Sequence, residues 1–252
     1  HRAAITARPL AAGEAHDPGG SCDPLPGSLA ATAAAVEATG GEALCLRGDI
    51  LEPQTLVDAA RAALDYFGRI DLLFNNAVYQ GPGNMESVLE VTDEQLGAMY
   101  QGNVFTPLAL VREIVPGMLA RGHGTVLNMV SYTAFNNPPA PADQGGWGFA
   151  YPSSKAAFAR MAASLRTEHA DSGLRVFNLE PGTVLTEIMK RAGIGEAVMR
   201  RFKACSPAAI AAVVAWLADN DPPASWNPDD ILRGPAIAKQ LNLLQRPSLL
   251  GA

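Results

Sequence analysis

Tyr151-Pro152-Ser153-Ser154-Lys155 is the stretch from which the rest of the chain is read, together with Ser131, twenty residues upstream at the end of an apolar run. In a helix, Tyr151 and Lys155 sit at i and i+4 and project phenol and ammonium from one face, within reach of a shared ligand. That pairing has a chemical use. A tyrosine with an ordinary pKa of about 10 is a poor proton-transfer group at neutral pH, and a neighbouring cation favours the phenolate and draws it toward the working range. A hydroxyl such as Ser131 can then hold a substrate oxygen while Tyr151 exchanges its proton. With five Tyr and four Lys in the chain, chance supplies roughly 0.08 Tyr-x-x-x-Lys pairs, so the order of the surrounding elements has to carry the rest.

Working outward, Thr125 to Val130 reads as an apolar strand that delivers Ser131 at its end. The helix from Tyr151 to about Asp171 gives way to a strand, Leu174 to Leu179, and then to Pro181-Gly182-Thr183-Val184-Leu185-Thr186. Between Ser131 and Tyr151, Tyr132 to Ala150 carries Phe135, Trp147, Phe149 and three prolines and reads as a substrate-side loop. Upstream, Ile70 to Phe74 is a strand leading into the turn-prone Asn75-Asn76-Ala77, and Thr92-x-x-Gln95 is a capping box opening a long helix that carries Asn103 and that Pro107 should kink. Pro53 to Phe67 places Leu56, Ala60, Ala63, Leu64 and Phe67 on one helical face, with Gly68 as its stop.

The amino-terminal part follows the same alternation. His1 to Arg8 is a strand, Pro9 to Gly27 a long loop, Leu29 to Thr39 a helix capped by Ser28, and Ala43 to Arg47 a strand ending in Gly48-Asp49-Ile50. Towards the carboxyl end, Ser206-Pro207 caps a helix through Ala218, an irregular Pro-rich stretch runs to Pro228, and Ala236 to Leu244 forms a short final helix. Strands that are continuous apolar runs, alternating with helices, predict a parallel sheet covered on both faces. Ligands bind such sheets at the carboxyl ends of the strands, where Arg8, Asp49, Asn76, Ser131 and Pro181 fall.

Composition narrows the function. A 252-residue chain with 48% hydrophobic and 17% charged residues has a substantial core and reads as one domain over 1–252. No apolar run approaches a membrane span, and a net charge of −6 without a Lys/Arg cluster argues against nucleic acid and anionic membrane, leaving a small molecule as the expected partner. Cys22, Cys45 and Cys205 lack paired spacing and the four His lack ligand spacing, so no metal is expected and a reducing, cytoplasmic setting is.

Taken in order, these motifs resemble the short-chain dehydrogenase/reductase family, clearly over residues 1–219, with an atypical segment at 220–252. The resemblance implies an α/β Rossmann-type doubly wound parallel sheet and an oxidoreductase that moves a hydride between NADP(H) and a carbonyl or secondary alcohol. By resemblance, Tyr151 is the acid-base, Ser131 the carbonyl anchor, Lys155 a cofactor-ribose ligand that also tunes Tyr151, and Asn103 the holder of a water relay behind Lys155. Asp49 and Ile50 would flank the adenine, Asn76 and Ala77 would line the cofactor cleft, and Pro181, Gly182, Thr183, Val184 and Thr186 would lie along the nicotinamide half. A homodimer or homotetramer is implied as well.

Two departures stand out. No Gly-rich phosphate-binding turn occurs anywhere, so the sequence reads as an amino-terminally truncated member lacking the sheet's first, central strand, and the carboxyl end lacks a Gly-rich final strand. The strand ending Thr6-Ala7-Arg8 offers no carboxylate for an adenosine 2′-hydroxyl and an arginine for a 2′-phosphate, which favours NADP(H) with NAD(H) as the lesser possibility. Plainer readings exist for single residues: Asp49 as a turn or capping residue, Asn75-Asn76 as a plain turn, Asn103 as a kink partner of Pro107. For the whole chain, the alternatives are a non-catalytic interaction or regulatory module, favoured by the missing turn, and a dehydratase or epimerase sharing the Tyr-Lys pair.

Overall fold

The computed structural model describes residues 2–7, 28–184, 205–226 and 231–244. Along the chain run β1 (Arg2–Ala7), α1 (Leu29–Ala38), β2 (Glu42–Arg47), α2 (Pro53–Phe67), β3 (Leu72–Asn75), α3 (Asp93–Tyr100), α4 (Thr106–Arg121), β4 (Gly124–Met129), α5 (Ala150–Glu168), β5 (Leu174–Glu180), α6 (Pro207–Asp219), β6 (Leu232–Arg233) and α7 (Gly234–Gln240). Local chemistry sets several of these bounds. Ser28 accepts from the Ala31 amide at the start of α1, Thr92 and Gln95 form the expected reciprocal box on α3, and Gly68 stops α2 at a φ of 80°, a conformation open to glycine.

All pairings are parallel, and they build two sheets: β1-β2, and β3-β4-β5-β6. Among the described residues no ladder joins β1 to β3, so the sheet is interrupted where the sequence predicts the missing central strand. In the larger sheet β4 is covered on both sides. Val126 and Val176 face α4 and α5 with Val111, Ile114, Met118 and Ala162, while Leu127 and Leu179 face α6 and α7 with Ile210, Val213 and Ile237. Val126 and Leu127 are adjacent, face opposite ways and are both fully buried, which is why β4 reads as a continuous apolar run.

Two expectations are corrected. The carboxyl end does contribute a strand, since β6 pairs Leu232 and Arg233 with Leu179 and Glu180 and runs directly into α7 at Gly234. Two residues are too short to show a period, so the pattern hid it. Likewise Pro107 does not kink a single helix. A π-turn over Gln101–Phe105 separates α3 from α4 and leaves Pro107 in the first turn of α4, where a missing N–H costs little.

Asn75, Asn128 and Asn178 stand in register across β3, β4 and β5, all buried. Asn75 therefore closes a strand and is not part of a turn. Its Nδ2 donates to Asn128 Oδ1 at 2.9 Å, and Asn178 Nδ2 donates to the Ala159 carbonyl of α5 at 3.0 Å, tying that helix to the sheet. Between them, Asn128 Nδ2 and Asn178 Oδ1 are buried without a partner, a donor and an acceptor on neighbouring strands. Asn128→Leu should strand the Asn75 amide and cost about 1–3 kcal/mol, lowering the melting temperature by about 2–10 °C in a chain of this size. Because the Asn75→Leu/Asn128→Leu double variant removes both partners, calorimetric melts should show it losing less than the sum of the single variants.

Candidate active site

Two strand ends and one helix start converge here. Tyr151 lies in the first turn of α5, Ser131 follows the end of β4, and Gln80 lies five residues beyond β3. Ser131 and Gln80 lie beside the Tyr151 side chain, and their polar groups pull its phenol pKa down. Burial acts more strongly in the other direction, so the net effect raises the pKa above 10.0. Ser131 is itself held: its Oγ lies 3.0 Å from Thr133 Oγ1 and accepts from the Thr133 amide at 3.3 Å, capping the short 3-10 turn Tyr132–Ala134.

Lys155 is 2% exposed. Its Nζ donates to the Met129 carbonyl at 2.9 Å and lies 4.9 Å from the centre of the Phe158 ring. Burial pulls its pKa down to about 8. The expectation that this cation draws the Tyr151 phenol downward is not met in this arrangement. The ammonium is directed at the backbone of β4, and loss of water around the phenol dominates its titration.

Asn103 sits inside the π-turn, a distortion that often marks functional positions. Its Oδ1 accepts from the Tyr79 amide at 2.8 Å, and its Nδ2 lies 3.0 Å from the Tyr79 carbonyl and 3.1 Å from Ser154 Oγ. This clamps the strap after β3 and thereby places the neighbouring Gln80. Asn103 makes no hydrogen bond to Lys155. Gly102 is needed beside it, because a Cβ there would come within 2.7 Å of Tyr79 Cβ.

The remaining predicted positions ring this centre. Asn76 and Ala77 are exposed at the end of β3, and Pro181 to Val184 are half-buried after β5. Gly182 takes a φ of 67° and its amide donates to Glu180 Oε1 at 2.7 Å. Asp49 behaves as a turn residue, its Oδ1 accepting from the Leu51 amide at 2.9 Å, and the Ile50 carbonyl accepts from Thr106 Oγ1 at 2.7 Å. Arg8 and Thr186 lie outside the described residues. The sequence reading missed Gln80, Thr133 and the Met129 carbonyl. Thr133 alone carried a signal, as a hydroxyl two residues past Ser131 able to form a side-chain turn.

The short chain dehydrogenase family matches this sequence over residues 8–201. The chain belongs to that family. Oxidoreductase YhdF of Bacillus subtilis is 28% identical over 146 residues, 58% of this chain and 47% of that protein. The 7alpha-hydroxysteroid dehydrogenase of Escherichia coli K12 is 28% identical over 155 residues, 62% of this chain and 56% of that one. The chain thus spans about half the length of these curated relatives. Among solved structures, a metagenomic short-chain oxidoreductase in complex with NADP superposes with a TM-score of 0.64 at 25% identity, covering 87% of this chain and 80% of that one. A 7 alpha-hydroxysteroid dehydrogenase complexed with NADH and 7-oxo glycochenodeoxycholic acid gives 0.66 at 26%, covering 82% and 80%.

In this short chain dehydrogenase, as elsewhere, a buried ammonium costs stability, and the sign with pH follows. Below about pH 8 Lys155 is charged in both folded and unfolded chains and the burial cost stands in full. Between about 8 and the ordinary 10.5 the unfolded chain binds the extra proton, so stability rises with pH. Lys155→Met should therefore stabilise the fold at pH 7 by up to roughly 3 kcal/mol. The gap to wild type should close as pH approaches 10.5, which urea unfolding of both proteins across that range will measure.

Proposed function

We propose that this short chain dehydrogenase transfers a hydride between a nicotinamide cofactor, preferably NADP(H), and a carbonyl or secondary alcohol of a small molecule, with Tyr151 as the acid-base. The observation that carries this reading is the phenol of Tyr151 beside Ser131 at the end of β4, one helical turn before a buried lysine. The residues fit the nicotinamide-ribose half of such a cofactor. A buried ammonium stands behind the phenol, and the exposed Asn76-Ala77 and half-buried Pro181 to Val184 leave the strand ends accessible. Asp49 and Ile50 would take the adenine side.

When bound, the cofactor supplies the hydride to the carbonyl carbon or accepts it from the alcohol. As the carbonyl oxygen gains charge, Ser131 Oγ–H donates to it and Tyr151 Oη delivers the proton that makes the alcohol. Burial keeps the phenol protonated at neutral pH, the form that carbonyl reduction consumes. Thr133 fixes the Ser131 hydroxyl, Gln80 stands beside the phenol, and Lys155, charged at pH 7, is the ribose ligand once it turns from Met129. Asn103 positions the strap that carries Gln80. Tyr151→Phe should lower kcat by about 10²–10⁴-fold while cofactor affinity stays within about twofold. Stopped-flow reduction and cofactor titration check both, and near-normal turnover in the variant would remove Tyr151 from the mechanism.

NADP(H) preference rests on Arg8, a guanidinium in place of the carboxylate that would repel a 2′-phosphate. The ratio of kcat/KM for NADPH over NADH should exceed one and fall by about tenfold in Arg8→Ala. Equal or better efficiency with NADH in the parent chain counts directly against Arg8 as selector. By family resemblance the setting is the cytoplasm and the working form a homodimer or homotetramer. The interruption between β1 and β3 favours a second reading, a non-catalytic module. Failure of any ketone to turn over, with no heat on titration of either cofactor, would put that reading first.

A further inference from the structure

A groove of about 880 Å³ opens beside Thr133, between the segment around Met85 to Glu90 and the loop that ends at Phe149. It falls within the size range of small-molecule sites, roughly 300–1,000 Å³. It adjoins the proposed chemistry through sequence neighbours of Ser131 and Tyr151, while those two residues themselves do not line it. Thr133, whose hydroxyl touches Ser131, lines it, as do Pro152 and Ser153, the two residues after Tyr151. Its walls are built against each other. A Cβ on Gly148 would lie 2.4 Å from the Glu86 carbonyl oxygen, so the two segments meet backbone to backbone there, and Trp147 packs edge-on against Tyr132 with ring centres 6.2 Å apart.

The lining has a definite character. Val88 is 67% exposed, Met85 49% and Phe149 41%, so large apolar side chains face the groove's water and gain from being covered. The charged groups are Glu90 and Asp143. Ser87 Oγ donates to Glu90 Oε2 at 2.8 Å and steadies that carboxylate. Among the described lining residues there is no Lys, Arg or His. An apolar ligand body is thus welcomed, while an anionic end would lose water next to two carboxylates with no cation to meet it.

Building on the carbonyl-reductase reading of the same site, we infer that this groove selects uncharged apolar ketones and secondary alcohols and rejects those whose far end is an anion. The ketone oxygen reaches Ser131 and Tyr151, and the apolar body runs past Thr133 and Pro152 toward Val88 and Phe149. Oxo-acids and phosphate-bearing acyl groups are disfavoured, because the charged residues that line the groove are both carboxylates.

Matched ketones test this on the full 252-residue chain: 2-butanone, 2-nonanone and 8-oxononanoate, the last two differing only in the terminal methyl or carboxylate. At saturating NADPH, 2-nonanone should exceed 2-butanone in kcat/KM through a lower KM. It should also exceed 8-oxononanoate by on the order of tenfold. The Glu90→Gln/Asp143→Asn double variant, which keeps the acceptor for Ser87, should shrink that ratio several-fold. Equal efficiency with 2-nonanone and 8-oxononanoate, or a ratio unmoved by the double variant, overturns the groove assignment while leaving the reductase reading intact. If not even 2-butanone is reduced, the reductase reading fails, and calorimetric binding of the nine-carbon pair decides the groove alone. Tighter binding of 2-nonanone upholds it, and equal or absent binding overturns it.

Discussion

The constraint on which the site depends is a lysine ammonium held out of water by the last residue of β4. Burying such a charge carries a penalty of several kcal/mol. The Met129 carbonyl and the face of Phe158 offset part of it. With Nζ on that carbonyl, α5 is tied to the end of β4, and one turn earlier Tyr151 stands at the strand end beside Ser131. The Asn178 amide fastens the same helix further along, at Ala159. Strain between charge and burial is therefore built into the element that carries the phenol, as expected where stability has been given up for a site.

A second arm reaches the phenol from the opposite side. The π-turn aims Asn103 at the strap after β3, and two hydrogen bonds to the Tyr79 backbone fix where Gln80 stands. The same side chain meets Ser154 on α5, so β3's exit loop, the α3–α4 junction and the α5 start share one amide group. Thr106, next after the π-turn, holds the Ile50 carbonyl and extends the linkage to the end of β2. Gln80 thus owes its position to residues far from it in sequence.

That geography explains what could be read from the chain. The alternation of strand and helix was legible because β4 and β5 are enclosed on both faces and α2 is amphipathic, and Pro53 to Phe67 falls at the expected bounds. Ser131, Tyr151 and Lys155 were legible because strand end and helix start impose fixed spacing. Gln80 was not, since its relevance arises from a tertiary clamp and from no local period. The titration of Tyr151 could not be read either. Spacing places a cation near a phenol, but it does not say which acceptor that cation will choose, and here it chooses Met129. β6 escaped for another reason: two residues pair only because Leu179 and Glu180 are waiting beside them.

The groups proposed to handle the proton and the residues proposed for the adenine side rest on different sheets. Ser131, Tyr151, Lys155 and Gln80 are all positioned by β3, β4 and α5, whereas Asp49 and Ile50 follow β2, which pairs only with β1 among the described residues. What joins the two is helical. Ala60 of α2 enters the core beneath β3 and β4, Arg61 forks onto Glu113 of α4 with both bonds at 3.0 Å, and Thr106 reaches Ile50. The exposed fork adds little energy, so the apolar packing of α2 on α4 carries the joint. A strand ladder resists sliding through a row of directional hydrogen bonds, whereas a packed helix pair yields more readily by shear. Ser131, Tyr151, Lys155 and Gln80 thus stand on one ladder and Asp49 and Ile50 on the other, with packed helices as the joint between them.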